Sequence, residues 1–585
     1  MKFFFRDLFL AIISNRGDRT NDDDMTTIKR IILSVLTVLA ILLAGTSLWS
    51  SWQQPQIQSR LELYQTNLLL QASQWQPQDN ADAHLSSARN NLVGEKPLEA
   101  ATQQYQAARE SASKNLQKAI AQLKELQSSP PSIPATPKPQ TEIAPATDTN
   151  RTRQQQILQQ SINQLEKLIA ELDLRLGILQ AQQGKVDVAL KTWEKVRAGE
   201  AEAAEEAGGE KPLAPSAPSA PSAPSALFLA PHPSPLTPDL GEAARVLTGL
   251  WSDPARLLPD AQQVIQASLD GWFRDRALSR LYQLQQRQGV LEELQATEQA
   301  TAQEALLKLA IIGSIPAAAG FTGLGLIVFL VIQRFRKGKE SLLARNEDTA
   351  WTTPWTGEIV WQVFIIGFFL MGQIVIPLAL TFLNVKPTVG NVRMQAFYVL
   401  VNYLLLAAGG LGVLYLSIKP FFPLPSGWFR LKLFDTWFLW GLGGYCVALP
   451  LVIVVSVINQ QLWQGQGGSN PLLSLTLESH DQVALAIFFF TAGIAAPFFE
   501  EFLFRGFLLP SLTRYLPVWG AIVVSSLLFA LAHLSLSEIL PLTVLGMVLG
   551  IVYTRSRNLL SSMFLHSLWN SGTLLSLFIL GSSSS

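Results

Sequence analysis

The distribution of hydrophobic and polar positions divides the chain into two kinds of segment. Long apolar runs occur near the amino terminus and throughout the carboxy-terminal half, whereas a polar, Gln- and Ala-rich stretch covers residues 50–308. Most apolar runs approach the roughly twenty residues that a helix needs to cross a bilayer, and none alternates as a barrel strand would. Because hydrocarbon cannot satisfy backbone amides and carbonyls, we expect each run to be a helix.

The pattern predicts nine membrane-spanning helices. The runs are 31–49, 310–332, 359–382, 396–418, 437–458, 483–504, 518–536, 539–553 and 559–580. The first run follows Lys29 and Arg30, and since no small-residue cleavage site clearly follows it, we interpret it as an uncleaved span. The predicted fold class is all-α: a polytopic α-helical membrane protein with a large helical extramembrane insert.

The same pattern divides the chain into segments. They are an amino terminus at 1–30, a first span at 31–49, the extramembrane region at 50–308, a second span at 309–333, spans three and four with their loops at 334–435, and a core at 436–580. Basic residues cluster in alternate loops: Arg334, Arg336, Lys337, Lys339, Lys419, Arg430, Lys432, Arg555 and Arg557. Since cytoplasmic loops carry the excess of Lys and Arg, we expect a multi-pass protein of the cell membrane with a cytoplasmic amino terminus.

The extramembrane region contains two Pro-rich tracts, at 129–146 and 206–239, which we expect to be linkers. Between them lies a spacing that resembles half of a tetratricopeptide repeat, carried by Leu176, Gly177, Gly184, Ala189 and Trp193. A weaker match to the same spacing occurs at Gly94, Ala101 and Tyr105. An ordinary helical hairpin or coiled-coil segment explains the same spacing. A partly repeat-like, paired-helix insert would suit the capture of a protein partner or substrate.

Composition and charge narrow the function classes. The chain has 44 Lys and Arg against 44 Asp and Glu, so its net charge gives no indication of a nucleic-acid partner. Cys446 is the only cysteine, which excludes an internal disulfide framework and a thiolate metal cluster. Membrane lipid and a protein or peptide substrate are the expected partners.

Ionisable side chains within the spans are costly and are therefore functional candidates. They form three groups, all in the last spans: Glu500, Glu501 and Arg505; His533, preceded by Phe529; and His566 with Asn570. Residues four apart share a helix face, so Arg505 can pair with Glu501, while Glu500 points about 100° away and is expected to be unpaired. An unpaired carboxylate in an apolar pocket suits a general base. The helical rise places Glu500, His533, His566 and Asn570 near the middle of the bilayer.

In order along the chain, the patterns EExxxR, FxxxH and HxxxN resemble the CAAX protease and bacteriocin-processing family, also called type II CAAX endopeptidases or abortive-infection proteins. The resemblance covers about 437–580. It implies an intramembrane endopeptidase in which Glu500 activates a water with help from His533, while His566 and Asn570 stabilise the oxyanion. It also implies that Glu501 and Arg505 support the site structurally and electrostatically, and we expect Phe529 to support it by packing beside His533.

Several alternatives stay open at this level. Glu500, His533 and His566 also make a plausible zinc ligand set with an open position for water, although no HExxH pattern is present, so a metallo-type and a glutamate-type mechanism are both compatible with the chain. A non-catalytic scaffold or immunity-type protein would retain the motifs for structure. A proton-coupled transporter would use Glu and His as a relay, but no inverted repeat is visible.

Overall fold

The computed structural model describes residues 22–53, 56, 58–76, 89, 92–128, 146–207, 240–385, 391–463, 465–479 and 481–582. The principal helices in chain order are α1 (Asp22–Gln53), α2 (Gln58–Ser73), α3 (Pro97–Ser128), α4 (Ala146–Gln182), α5 (Val186–Ala207), α6 (Leu240–Trp251), α7 (Ala261–Ser268), α8 (Gly271–Leu284), α9 (Gln288–Lys337), α10 (Gly357–Phe382), α11 (Val392–Ile418), α12 (Trp437–Trp463), α13 (Pro471–Glu478), α14 (Gln482–Leu512), α15 (Val518–Leu531), α16 (Ile539–Ser556) and α17 (Leu559–Gly581). The described residues contain no β-strand, which confirms the predicted all-α class.

The chain divides into two compact units, one formed by 1–58 with 311–582 and the other by 59–310. The predicted linkers at 129–146 and 206–239 lie almost wholly outside the described residues.

In the 59–310 unit, the hairpin of α4 and α5 explains the small-residue spacing noted above. A Cβ on Gly177 would lie 2.2 Å from Nε1 of Trp193, so only glycine leaves room for this indole. Trp193 is fully buried and donates to the Leu174 carbonyl at 3.1 Å. Gly184 forms the turn between the two helices with a φ of +79°. The close packing of a small residue against an aromatic ring is therefore present, while the tetratricopeptide assignment stays a prediction.

The other unit carries the membrane-spanning helices. Among the described residues, eight helices are long and apolar enough to cross a bilayer, namely α1, α9, α10, α11, α12, α14, α16 and α17. This confirms an integral multi-pass membrane protein. The predicted seventh span, at 518–536, corresponds to the shorter helix α15, which has 14 residues and a length of about 21 Å. It ends early because Leu534 adopts a left-handed φ of +55°, which turns the chain toward α16.

The loops predicted to share one side of the membrane do meet at one end of this unit. Arg555 Nε donates to the Leu343 carbonyl at 2.6 Å, which joins the end of α16 to the loop after α9. In the same loop, the Trp351 backbone amide donates to Thr513 Oγ1 at 3.1 Å and its indole to the Gly427 carbonyl at 3.3 Å. The loops after α9, α11 and α14 and the end of α16 thus assemble together, as the alternation of basic loops predicts.

Candidate active site

Helix α14 carries two adjacent carboxylates in a distinctive stretch of backbone. A short α-helical segment, Ala496–Glu501, lies between two π-helical segments, Thr491–Ala495 and Phe502–Leu508. π-Helical turns are rare and often occur at functional sites because they redirect side chains and change which carbonyls are bonded within the helix. Glu500 and Glu501 therefore lie at the centre of a helix whose register changes on both sides of them.

Glu501 forms the ion pair that its spacing predicts. Arg505 Nη1 donates to Glu501 Oε1 at 2.6 Å, and both side chains are fully buried. The guanidinium also donates from Nη2 to the Gly546 carbonyl at 3.2 Å. A buried charge requires a partner and hydrogen bonds of this kind, so Arg505 neutralises the charge of Glu501 within the helix bundle.

Phe529 lies at the centre of the cluster. Its ring carries the Arg505 guanidinium 4.4 Å above the centroid, within the range of a cation–π interaction. The imidazoles of His533 and His566 contact the same ring, with centroid distances of 4.9 and 5.7 Å. Phe529 therefore packs against more than His533, because its buried ring contacts a group from each of the three motifs.

His566 connects the two carboxylates. It is 2% exposed, and its Nδ1 lies 3.0 Å from Glu501 Oε1. Because a carboxylate only accepts, Nδ1 carries the proton in this hydrogen bond. The opposite ring nitrogen, Nε2, lies 3.9 Å from Glu500 Oε2. Glu501 thus orients the imidazole and directs its Nε2 toward Glu500, as a carboxylate does for a functional histidine.

Glu500 is not wholly unpaired, which corrects one expectation. The Tyr403 hydroxyl, on α11, donates to Glu500 Oε1 at 3.1 Å. Oε2 is buried and has no hydrogen bond to any described residue. Tyr403 was missed because a single phenol in an apolar run carries no motif. Tyr403 therefore satisfies one oxygen of Glu500, whereas the other has no hydrogen bond to a described residue.

Glu500 and His533 open onto the same cavity, which has a volume of about 190 Å³. His533 lies in the turn after α15, and its Nδ1 donates to the Phe529 carbonyl at 2.9 Å. Since a carbonyl cannot donate, Nδ1 carries a proton, and Nε2 of the neutral ring is an acceptor. The cavity is lined by residues of α10, α11, α14 and the turn after α15, which are Phe368, Phe369, Gly372, Gln373, Tyr403, Leu406, Phe499, Glu500, Phe504, Ala532, His533 and Leu534.

Asn570 forms a hydrogen bond to the backbone of α14. Its Nδ2 donates to the Ala492 carbonyl at 2.8 Å, and it is not among the residues that line the cavity. Ser567, on the same helix, donates to the Gly493 carbonyl at 2.6 Å. Both carbonyls belong to the π-helical segment Thr491–Ala495, so α17 docks onto this irregular stretch through side-chain donors.

The predicted zinc ligands do not fit a metal ion as they are placed. His566 and His533 each donate from Nδ1 to an acceptor within the protein, Glu501 and the Phe529 carbonyl, and these bonds by themselves are compatible with a metal at Nε2. Within the described ranges, no group of three or more His, Cys, Asp and Glu side chains is arranged to hold one. We therefore derive no chemical step through a metal.

Comparisons with known proteins agree with the motifs. Residues 482–572 match the family described as type II CAAX prenyl endopeptidase Rce1-like. The membrane-embedded CAAX protease MroQ of Staphylococcus aureus (strain USA300) is 28% identical over 137 residues, which are 22% of this chain and 54% of that protein. YdiL of Bacillus subtilis (strain 168), named as a candidate membrane peptidase, is 25% identical over 132 residues, 23% of this chain and 53% of its own length. UPF0177 protein YxdF of Lactococcus lactis subsp. lactis (strain IL1403) is 37% identical over 76 residues, 13% of this chain and 41% of that protein.

The chain thus spans about half the length of the first two curated relatives that it matches. No solved structure gives a significant match. The family match begins with α14 and ends within α17, so it contains every residue of the three motifs, and it confirms the resemblance drawn from them. The chain therefore contains a domain of the type II CAAX prenyl endopeptidase Rce1-like family within a larger multi-pass membrane protein.

Proposed function

We propose that this protein is an intramembrane endopeptidase that hydrolyses a peptide bond of a membrane-associated substrate. One observation carries the proposal: Glu500 presents a buried carboxylate oxygen without a hydrogen bond beside a cavity that it shares with His533. The protease name of MroQ supports the same reaction class. A positioned carboxylate and imidazole are suited to water activation, because each can accept a proton.

In the first step, a water in the cavity lies between Glu500 and His533. Glu500 Oε2 takes one proton from this water, and Nε2 of His533 accepts a hydrogen bond from the other. The water oxygen bonds to the carbonyl carbon of the substrate, and the electron pair of the C=O double bond moves to its oxygen. This oxygen becomes the oxyanion of a tetrahedral intermediate.

In the second step, His566 and Asn570 stabilise that oxyanion. A His566 ring that also carries a proton on Nε2 is a donor on the side of Glu500, and Asn570 has a second amide N–H besides the one given to Ala492. Collapse of the intermediate breaks the C–N bond, and the leaving amine receives the proton held by Glu500. The products are a carboxyl-terminal acid with the oxygen of the water and a free amine.

Glu501 and Arg505 act as supporting residues in this proposal. Glu501 accepts from His566 Nδ1, and Arg505 donates to Glu501. The pair therefore fixes the orientation of the imidazole through its Nδ1 side. Tyr403 fixes Glu500 through Oε1 and leaves Oε2 toward His566. Positioning of this kind is as important as the reacting groups, since small displacements of a base cost large factors in rate.

The depth of the site supports cleavage within the membrane. Glu500 lies 12 residues before the end of α14 at Leu512, which corresponds to about 18 Å along the helix. The end at Leu512 is the one where the basic loops assemble, and we propose that it faces the cytoplasm, with the amino terminus on the same side and the plasma membrane as the host membrane.

The test uses the purified full-length protein in detergent with a library of peptides that contain a membrane-embedded segment. We expect Glu500→Gln to lower the rate by a factor of about 10² to 10⁴, and His533→Ala by about 10². Gln460→Leu is the matched control, because Gln460 is an exposed residue of another span outside the cavity lining. Cleavage that persists in both active-site variants would overturn the proposal.

A parallel measurement tests whether the activity requires a metal ion. We propose the glutamate-type mechanism, so activity should survive a strong chelator, and elemental analysis of the active protein should find less than one equivalent of zinc. Loss of activity with the chelator and its return on addition of zinc would instead establish the metallo-type.

A second candidate function is a non-catalytic scaffold of the same family. It is favoured by the size of the 59–310 unit, which the family match at 482–572 does not cover and which would bind a protein partner. Unchanged cellular function in the Glu500→Gln variant would support the scaffold, whereas loss of function with retained expression would support the peptidase.

A further inference from the structure

We infer that Gln373 is a substrate-binding residue of this site, and that the surface formed by α10 and α11 accepts a large apolar side chain of the substrate beside the scissile bond. The inference rests on the proposed peptidase function. It concerns residues outside the 482–572 region, for which the three motifs assign nothing.

The cavity is formed by two different parts of the chain. Glu500, Phe499 and Phe504 come from α14 and His533 from the turn after α15, whereas half of the lining comes from α10 and α11. That half consists of Phe368, Phe369, Gly372, Gln373, Tyr403 and Leu406, which we call the α10–α11 wall. Tyr403 of this wall donates to Glu500 Oε1 at 3.1 Å, so the wall adjoins the reactive carboxylate and a substrate that reaches Glu500 lies beside it.

Gln373 is the polar residue of the wall without a partner. Its side chain is exposed and forms no hydrogen bond to a described residue, although it lies in the apolar π-helical segment Val363–Val375. On the same helix, Gln362 is buried and its amide donates to Ser417 Oγ at 3.1 Å. Because Gln373 lines the cavity and its side chain is exposed, its carboxamide is available to bond a bound partner.

The chemistry of the carboxamide identifies the partner. It offers two N–H donors and one carbonyl acceptor, which complement the C=O and N–H of an extended peptide. An aliphatic lipid chain supplies neither group. A peptide backbone in the cavity therefore satisfies Gln373 at one position and presents a carbonyl to Glu500 at a neighbouring one.

The size and lining of the cavity define the adjacent side chain. The volume of about 190 Å³ exceeds the roughly 150 Å³ of a cavity known to hold a benzene molecule, so it accommodates one large side chain with a water but no folded segment. Apart from Gln373 and Tyr403, the wall is apolar, with the rings of Phe368 and Phe369 and the side chain of Leu406. Gly372 preserves this space, because a Cβ there would lie 3.2 Å from Leu406 Cδ1.

The first experiment measures cleavage by the purified full-length protein, with peptides chosen from the library by their cleavage in the wild type. Gln373→Leu should raise KM about three- to tenfold, the effect of one lost hydrogen bond, and leave kcat within about twofold. Gln460→Leu, the exposed glutamine of α12, should change neither constant. An unchanged KM in Gln373→Leu with an active wild type would refute the inference and leave the proposed function standing.

The second experiment measures specificity, which stays informative if one variant folds poorly. Gly372→Val fills part of the cavity, so it should lower the rate for peptides with Phe or Leu next to the cleaved bond about tenfold more than for peptides with Ala. Equal losses for large and small side chains would overturn the assignment of the wall. A wild type that is as inactive as Glu500→Gln on the whole library would overturn the proposed function, and the inference with it.

Discussion

Removal of the Glu501 carboxylate separates the structural role of the buried ion pair from its role in the active site. In Glu501→Gln, Arg505 keeps its hydrogen bond to Gly546 at 3.2 Å and its contact with Phe529 at 4.4 Å, but loses its only carboxylate partner among the described residues. Breaking a buried pair by removing one partner costs about 3–5 kcal/mol. Because these two contacts remain, we expect a decrease in the free energy of unfolding of about 3 kcal/mol, near the lower limit.

This loss is measurable as thermal unfolding of the detergent-purified protein. At about 2–4 °C per kcal/mol for a domain of this size, Tm should fall by about 6–12 °C. Glu347→Gln is the matched control, because its partner Arg334 is 41% exposed in the 3.0 Å pair, and such pairs contribute less than about 1 kcal/mol. A decrease of less than about 2 °C in Glu501→Gln would refute the argument that the buried carboxylate compensates Arg505.

The double variant Glu501→Gln, Arg505→Met extends the test to function. Replacing both members of a buried pair is often close to neutral, so most of the lost stability should return. Activity should stay at least tenfold below the wild type, because His566 has lost the carboxylate 3.0 Å from its Nδ1. Recovery of both stability and activity would mean that Glu501 has no part in orienting the imidazole.

Two further predictions concern other parts of the chain. Tyr403→Phe removes the donor to Glu500 Oε1 and should lower kcat at least tenfold with little change in KM, as initial rates would reveal; an unchanged kcat would contradict the positioning role. Gly177→Ala should lower the local stability of the α4–α5 hairpin by about 2 kcal/mol in hydrogen exchange, since the clash with Trp193 exceeds the gain of about 1 kcal/mol in helix propensity. Gly199→Ala, in the same hairpin but with open space around it, should raise that stability by about 1 kcal/mol, and equal effects of the two changes would contradict the packing argument.

The apolar pattern predicted the positions of eight membrane-length helices, but it also predicted a ninth span, at 518–536, where the described helix is shorter. Eight runs correspond to helices long enough to cross a bilayer, because length and hydropathy are properties of each segment alone. The run at 518–536 ends as a helix at Leu531, and its last residues form a turn. This turn depends on the left-handed backbone of Leu534 and on the donation of the buried Asn459 amide to the Ser537 carbonyl at 2.6 Å. Both are tertiary features that hydropathy does not encode.

Contacts in the site are of two kinds: those between residues of one helix, which the sequence predicts, and those between helices, which it does not. The Glu501–Arg505 pair followed from a spacing of four residues on one helix. The contact of Tyr403 with Glu500 joins residues 97 positions apart, and spacing along one helix does not predict contacts between helices. The bond from Asn570 to the Ala492 carbonyl likewise joins two helices, and it depends on the π-helical segment at Thr491–Ala495. Such segments have no simple sequence signature.

The two adjacent glutamates are chemically distinct because their surroundings differ. Glu501 is fully buried, and its Oε1 is bonded both by the Arg505 cation and by His566, which holds it in a charge-compensated network. Glu500 accepts from the neutral donor Tyr403 on Oε1, has no hydrogen bond to a described residue on the buried Oε2, and is one of the residues that line the cavity. Active sites commonly assign different roles to neighbouring titratable groups through environments that differ in this way. Because Arg505 forms its ion pair with Glu501, the transfer of a proton from water to Glu500 in the proposed mechanism leaves that buried pair intact.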